Sequence, residues 1–249
     1  MTYRSIALLG LVFLPLCTIF TLLGMWQLDR MHDKQALINQ FEQATNMPLT
    51  QAIDQSKVFA RIKTYGRFET RWHILLDNKI LNGRVGVHVL SLFRTEDEIN
   101  ILVNRGWLPM AADRRSLPEV ITPEGTVAIK GILVSATKDE LRLGQPENLD
   151  ELNGSKLVTY LNMDMVSAGL KEDLPPWLIQ LDQADPSGFD GRDWQPAVML
   201  PNQHRAYAVQ WFALALAFAI MYFTLAMKKT HNKMSSSELK QKHKPKGDM

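Results

Sequence analysis

Residues 5–28 read SIALLGLVFLPLCTIFTLLGMWQL up to the amphipathic segment at Asp29, and not one of them carries a charge. At about 1.5 Å of helical rise per residue, roughly 20 apolar residues cross a hydrocarbon core of about 30 Å, so the stretch is long enough to span a bilayer as one helix. Residues 206–227, AYAVQWFALALAFAIMYFTLAM, repeat the pattern near the other end. The fold class that follows is a membrane protein in which two transmembrane helices flank an α+β, mainly antiparallel β, extracytoplasmic domain.

A cleaved secretory signal is the competing reading of the first stretch, because Arg4 supplies a positive start. Signal cores run about 7–15 apolar residues and end at small residues. Here the run continues past Gly24 into Trp26 with no small-x-small site, so a retained anchor is expected, kinked at Pro15.

Charge sets the orientation. After the second span come Lys228, Lys229, Lys233, Lys240, Lys242, Lys244 and Lys246 against Glu238 and Asp248, whereas Trp26 to Arg205 holds 20 Lys and Arg against 24 Asp and Glu. Positive flanks stay in the cytoplasm. The expected organisation is a cytoplasmic amino terminus at 1–4, helices at 5–28 and 206–227, a periplasmic β-rich domain at 29–205 and a basic cytoplasmic tail at 228–249, in the cell inner membrane with both termini cytoplasmic. The net charge of +2 averages the basic tail with a mildly acidic middle. The tail reads as a disordered topology anchor touching the lipid bilayer rather than as a nucleic-acid site.

The single cysteine, Cys17, lies within the first span. That excludes a disulfide framework in the outer domain and a paired-cysteine copper site.

In the middle, His73–Leu81 and Arg84–Phe93 flank Asn82-Gly83, the dipeptide that most strongly marks a two-residue hairpin turn. After a charged turn at Glu96–Glu98, Ile99–Leu108 supplies a third strand, and Val58–Phe68 and Thr126–Val134 are expected as outer members of an antiparallel meander, either open or partly closed into a barrel, with the strand order left open. Short helices are expected at Lys34–Ala44 and at Asp164–Leu170, capped by Asn162 or Asp164. Pro175-Pro176 ends that helix, and Trp177–Leu181 reads as a late strand.

No Gly-rich phosphate loop, GxSxG elbow, HExxH or paired-cysteine metal site occurs, which disfavours an enzyme. Asp113, Arg114 and Arg115 read as a solvated loop. Two places near the spans carry chemistry. His204, Tyr207 and Trp211 fall at i, i+3 and i+7 on one helical face. Gln210 is a carboxamide about a turn further in that calls for a partner on another helix. At the end of the first span stand Gly24, Trp26, Gln27, Arg30 and Lys34. Both groups fit either a ligand surface or an interfacial belt of aromatic side chains and snorkelling cations. Within the domain, Asn104-Arg105-Gly106-Trp107 ends an apolar strand, with Asp77 or Glu69 as expected acids for Arg105, and Gly66 beside Phe68 fits a bulge or a close approach.

Gly24-x-Trp26-Gln27-x-x-Arg30-x-x-x-Lys34, Gly66-x-Phe68, Leu102-Val-Asn-Arg-Gly-Trp-Leu-Pro109 and His204-x-x-Tyr207-Ala208-x-Gln210-Trp211, in that order between two apolar helices, resemble the Surfeit locus protein one family. Its members are membrane assembly factors of haem-copper cytochrome c oxidase. The resemblance implies a non-enzymatic bacterial helper that binds haem a and promotes its insertion into subunit one, with His204 as the iron ligand. It implies Tyr207, Trp211, Trp26, Gln27 and Arg30 as further cofactor-binding residues. Subunit one and haem a synthase are the implied partners. For a second axial ligand, His32, His73, His88, a water and a partner's histidine stay open. A scaffold that holds the oxidase subunit without binding haem is the alternative within the family. A membrane sensor would need a cytoplasmic output module larger than this tail.

Overall fold

The computed structural model describes residues 3–111, 114, 116–136, 154–196 and 199–242, with backbone alone for 3–9 and 228–242. Asp113, Arg115, Lys244, Lys246 and Asp248 lie outside the described residues. The chain divides into two compact units, Met1–Asn39 with Pro196–Met249, and Gln40–Gln195.

The first unit is built from the two apolar segments. Helix α1 runs over Tyr3–Glu42 and passes through Pro15 without a break. The expected short helix at Lys34–Ala44 is its continuation. Helix α4 runs over Pro201–Lys242, so the basic segment expected to be disordered continues the helix as far as Lys242. The portions Gly10–Glu42 and Pro201–Met227 are long and apolar enough to cross a membrane, and only 6% of the most apolar window of each is buried within the protein. A core helix of a soluble protein would bury most of that surface, so these helices support a membrane protein.

Among the described residues the second unit holds α2 (Leu49–Asp54), α3 (Met163–Leu170) and seven strands: β1 (Arg61–Phe68), β2 (Trp72–Leu81), β3 (Arg84–Thr95), β4 (Asn100–Pro109), β5 (Val127–Ser135), β6 (Gly154–Val158) and β7 (Trp177–Leu181). The hairpin forms as expected. Leu81 pairs with Arg84, and Asn82 and Gly83 have φ of 49° and 75°, the doubly positive geometry of a type I′ turn. Asn162 caps α3, its side chain accepting from the Met165 N–H at 3.2 Å.

The strand order differs from a meander. β1 and β5 are paired with each other along their length, and the order β1-β5-β7-β4-β3 closes through a β1–β3 pairing into a five-stranded barrel. Closure is possible because β3 divides its free edge: Ile74–Leu81 of β2 covers the first half, and Gly66–Phe68 of β1 pairs with Phe93–Thr95 at the far end. Two pairings, β4–β7 and β2–β6, are parallel. Such pairs join segments distant in sequence, so no local turn signal announces them.

Every ring strand contributes to the barrel core: Ile62 and Phe68, Phe93, Ile101 and Val103, Ile129 and Leu133, Ile179 and Leu181. On the outer face α3 lays Met163 and Val166 over Trp72, Ile74, Leu90, Leu92 and Leu102. β3 and β4 are therefore buried on both faces, which explains their nearly continuous apolar sequence.

Gly66 is not a bulge. It pairs in register with Thr95, and a Cβ there would come within 2.2 Å of the Arg94 carbonyl oxygen, so the barrel seam closes only over a glycine.

Candidate functional site

The helices α1 and α4 pack antiparallel, as their contacts run in opposite numerical order. The Cys17 thiol lies 3.5 Å from the Ala215 carbonyl oxygen, and Phe20 stacks on Trp211 at 5.8 Å and 17°. In the C-terminal half of α1, Gly24 lies under Phe212, where a Cβ would sit 2.6 Å from the ring. The absence of a side chain brings the two backbones together, the usual device for helix association in lipid.

That close approach sets His204 against Gln27. His204 is 7% exposed, and its Nδ1 lies 2.8 Å from Gln27 Oε1. With the carboxamide oxygen as acceptor, Nδ1–H donates, so the other ring nitrogen, Nε2, carries the lone pair. Nε2 is buried and has no hydrogen-bond partner. Buried side-chain polar atoms nearly always have one, so an orphaned imidazole nitrogen calls for an explanation, and a ligand atom is one that chemistry supplies.

The other expected residues divide. Trp211 packs into the helix contact. Trp26 and Tyr207 are 49% and 45% exposed, and the Arg30 guanidinium lies 5.9 Å from the Trp26 ring and 3.3 Å from the Asp33 carboxylate. His204 and Trp211 thus face α1, with Tyr207 at the margin. Gln210 is exposed rather than engaged with another helix. The carboxamide that bridges the helices is Gln27. Phe20 and Phe212 were not foreseen, because in an apolar helix nothing in the sequence separates a partner-facing phenylalanine from a lipid-facing one.

The domain's polar core is self-contained. Arg105 is 1% exposed and pairs with neither Asp77 nor Glu69, the acids expected for it. Its Nε donates to the Ser187 carbonyl at 2.8 Å, Nη1 to Thr122 Oγ1 at 2.9 Å and Nη2 to the Ile121 carbonyl at 2.8 Å, while the Phe68 and Phe189 rings sandwich it at 4.8 and 4.7 Å. Burial lowers its pKa to about 10, assisted by Arg192. Asp77 instead binds Arg114 at 3.0 Å, and Glu69 binds Arg71 at 3.0 Å, which holds the Glu69 carboxyl down at about 2.

His73 uses both ring nitrogens, Nδ1 with Ser91 Oγ at 2.9 Å and Nε2 with Thr122 Oγ1 at 3.3 Å. Burial, then the charge of Arg105, pushes it down to about 4. His88 lies edge-on to Trp194 at 5.5 Å and is pushed down to about 4 by burial and then by Lys79. His32 is exposed on α1.

Among the described residues no three His, Cys, Asp or Glu side chains converge to hold a metal ion. A lone buried imidazole is too few donors for a bare divalent cation, but it suffices for a macrocycle that brings four nitrogens of its own. The donor set fits haem.

The family model described as the SURF1 family matches residues 14–216. The chain is similar to a SURF1-like protein of Rickettsia felis, 25% identical over 86% of this chain and 94% of the relative. A SURF1-like protein of Monosiga brevicollis is 26% identical over 83% of each chain. Surfeit locus protein 1 of Takifugu rubripes is 26% identical over 83% of this chain and 92% of the relative.

Proposed function

The chain belongs to the SURF1 family, known in general as oxidase assembly factors, and on that premise we propose that it holds haem a through His204 and promotes its insertion into subunit one of haem-copper cytochrome c oxidase. The observation that carries this reading is the orphaned Nε2 of a buried histidine whose other nitrogen is already engaged. When bound, the haem would supply an iron centre that His204 would hold through its Nε2.

The chain's own residues do the rest. Gln27 orients the His204 ring, Trp26 and Tyr207 offer aromatic faces for the macrocycle, Trp211 backs the pocket from the helix contact, and Arg30, half exposed, offers a cation for a propionate. Nε2 is covered, so ligation requires neighbouring side chains to shift. A ligand atom that closes over again when haem leaves suits transient carriage better than a resident cofactor.

In this account the chain lies in the cell inner membrane with both termini cytoplasmic, takes haem from haem a synthase and passes it to subunit one without itself catalysing a reaction. The lysines after the second span support that orientation. A strain carrying His204→Ala should assemble oxidase subunits with a lowered haem a content. Full haem occupancy in that strain, with wild-type protein levels, would favour a scaffold that holds the subunit open for haem supplied by another protein.

A further inference from the structure

We infer that Gln27 is a positioning residue: its carboxamide oxygen selects the His204 tautomer that leaves Nε2 unprotonated and thereby prepares that nitrogen to bind iron. The inference rests on the haem reading above for its purpose, but not for its geometry.

Neutral imidazole exists as two tautomers that are close in energy in water, and only the one protonated at Nδ1 presents a lone pair at Nε2. At 2.8 Å from Nδ1, Gln27 Oε1 accepts the Nδ1–H, and the opposite tautomer would require the carboxamide to turn over and donate its N–H instead. That tautomer would also bury Nε2–H with no acceptor, and orphaned buried N–H groups are rarer in proteins than orphaned acceptors. Histidines that bind metals generally donate their other ring N–H to an oxygen acceptor, and removal of that acceptor typically lowers metal affinity by about 10–100-fold. Here the acceptor comes from the other helix. Packing of α1 on α4 at Gly24 and Phe212 is therefore what arms the ligand. Gln27 stands one turn before Arg30 and next to Trp26, so one short segment of α1 supplies the orienting group beside the exposed cation and aromatic face.

The test uses the full-length protein in nanodiscs, labelled with 15N in its histidines, with His204→Asn used to assign the resonance. Without haem, wild-type His204 should show a protonated Nδ1 and an unprotonated Nε2. Gln27→Leu should lose that preference, and Gln27→Glu should restore it. With haem a added, Gln27→Leu should bind at least tenfold more weakly than wild type. Gln27→Glu should recover the affinity and lower the reduction potential, because a carboxylate makes the imidazole a stronger donor to iron. A wild-type His204 protonated at Nε2, or a tautomer unchanged in Gln27→Leu, would overturn the inference. So would a Gln27→Leu protein with wild-type haem affinity and spectrum while His204→Ala loses ligation, an outcome that leaves the haem reading intact. If the tautomer responds as expected but His204→Ala binds haem like the wild type, the haem reading fails and the role of Gln27 in orienting the ring stands.

Discussion

Replacing Arg105 by leucine tests whether the barrel is organised around a buried cation without a carboxylate. The side chain makes three hydrogen bonds, to the Ser187 carbonyl, Thr122 Oγ1 and the Ile121 carbonyl. Their loss is unequal. Ile121 is exposed, so its carbonyl finds water, and Thr122 keeps contact with His73 at 3.3 Å. The Ser187 carbonyl belongs to a buried residue and is stranded, which costs about 1–3 kcal/mol. The Phe68 and Phe189 rings each lose a cation from one face, at about 0.5–1 kcal/mol apiece, with a partial cavity left between them. Leucine avoids the desolvation of a guanidinium, which offsets part of this sum. The net expectation is a loss of about 3 kcal/mol. For a unit of this size, roughly 2–4 °C per kcal/mol gives a drop of about 10 °C in Tm. Buried Trp72, Trp107 and Trp177 make near-ultraviolet circular dichroism of the full-length protein in detergent a direct reporter. Arg105→Lys, which keeps the charge but not the planar fork, should fall between leucine and wild type. A leucine variant melting within about 2 °C of wild type would refute the assignment of Arg105 as the organising group.

Gly83→Val should destabilise the domain by about 1–2 kcal/mol through backbone conformation alone, since φ is 75° and an added Cβ would meet nothing within 4 Å. Gly83→Asn, which tolerates this region, should melt near wild type, and a valine variant that does the same would contradict the type I′ turn. Domain stability should also fall below neutral pH. His73 is held at about 4 against an ordinary 6.5, so unfolded chains take up a proton that the folded domain refuses. Its contribution is full above 6.5, has fallen by about 2 kcal/mol at pH 5 and levels off near 4. Melts at pH 7.5 and pH 5 that coincide would sink this account of His73.

Local signals in the sequence carried over well. The Asn82-Gly83 turn, the Asn162 cap and the strand at Trp177–Leu181 depend on residues within a few positions of one another, and they appear in the structure as expected. What could not be read depends on pairing at long range. The β1–β3 seam and the parallel β4–β7 pair join segments with no turn between them, and β6 carries little periodicity over its short length. At the candidate site the residue types were evident but the pairing was not. Gln27 and Gln210 are both carboxamides near the ends of the spans, and only the packing at Gly24 decides that Gln27 meets His204. Arg105 misled for a different reason. Charge suggested an acid partner, whereas carbonyl oxygens and two aromatic rings satisfy a planar guanidinium equally well.

The absorption spectrum of the purified protein from cells that make haem a tests the central claim most directly. The wild type should carry or take up haem a with a Soret band that reports an axial imidazole. His204→Ala should insert into the membrane normally, because alanine favours helix, yet lose that ligand, shift the band and bind haem a more weakly. Identical spectra and affinities for the two proteins would contradict ligation at His204.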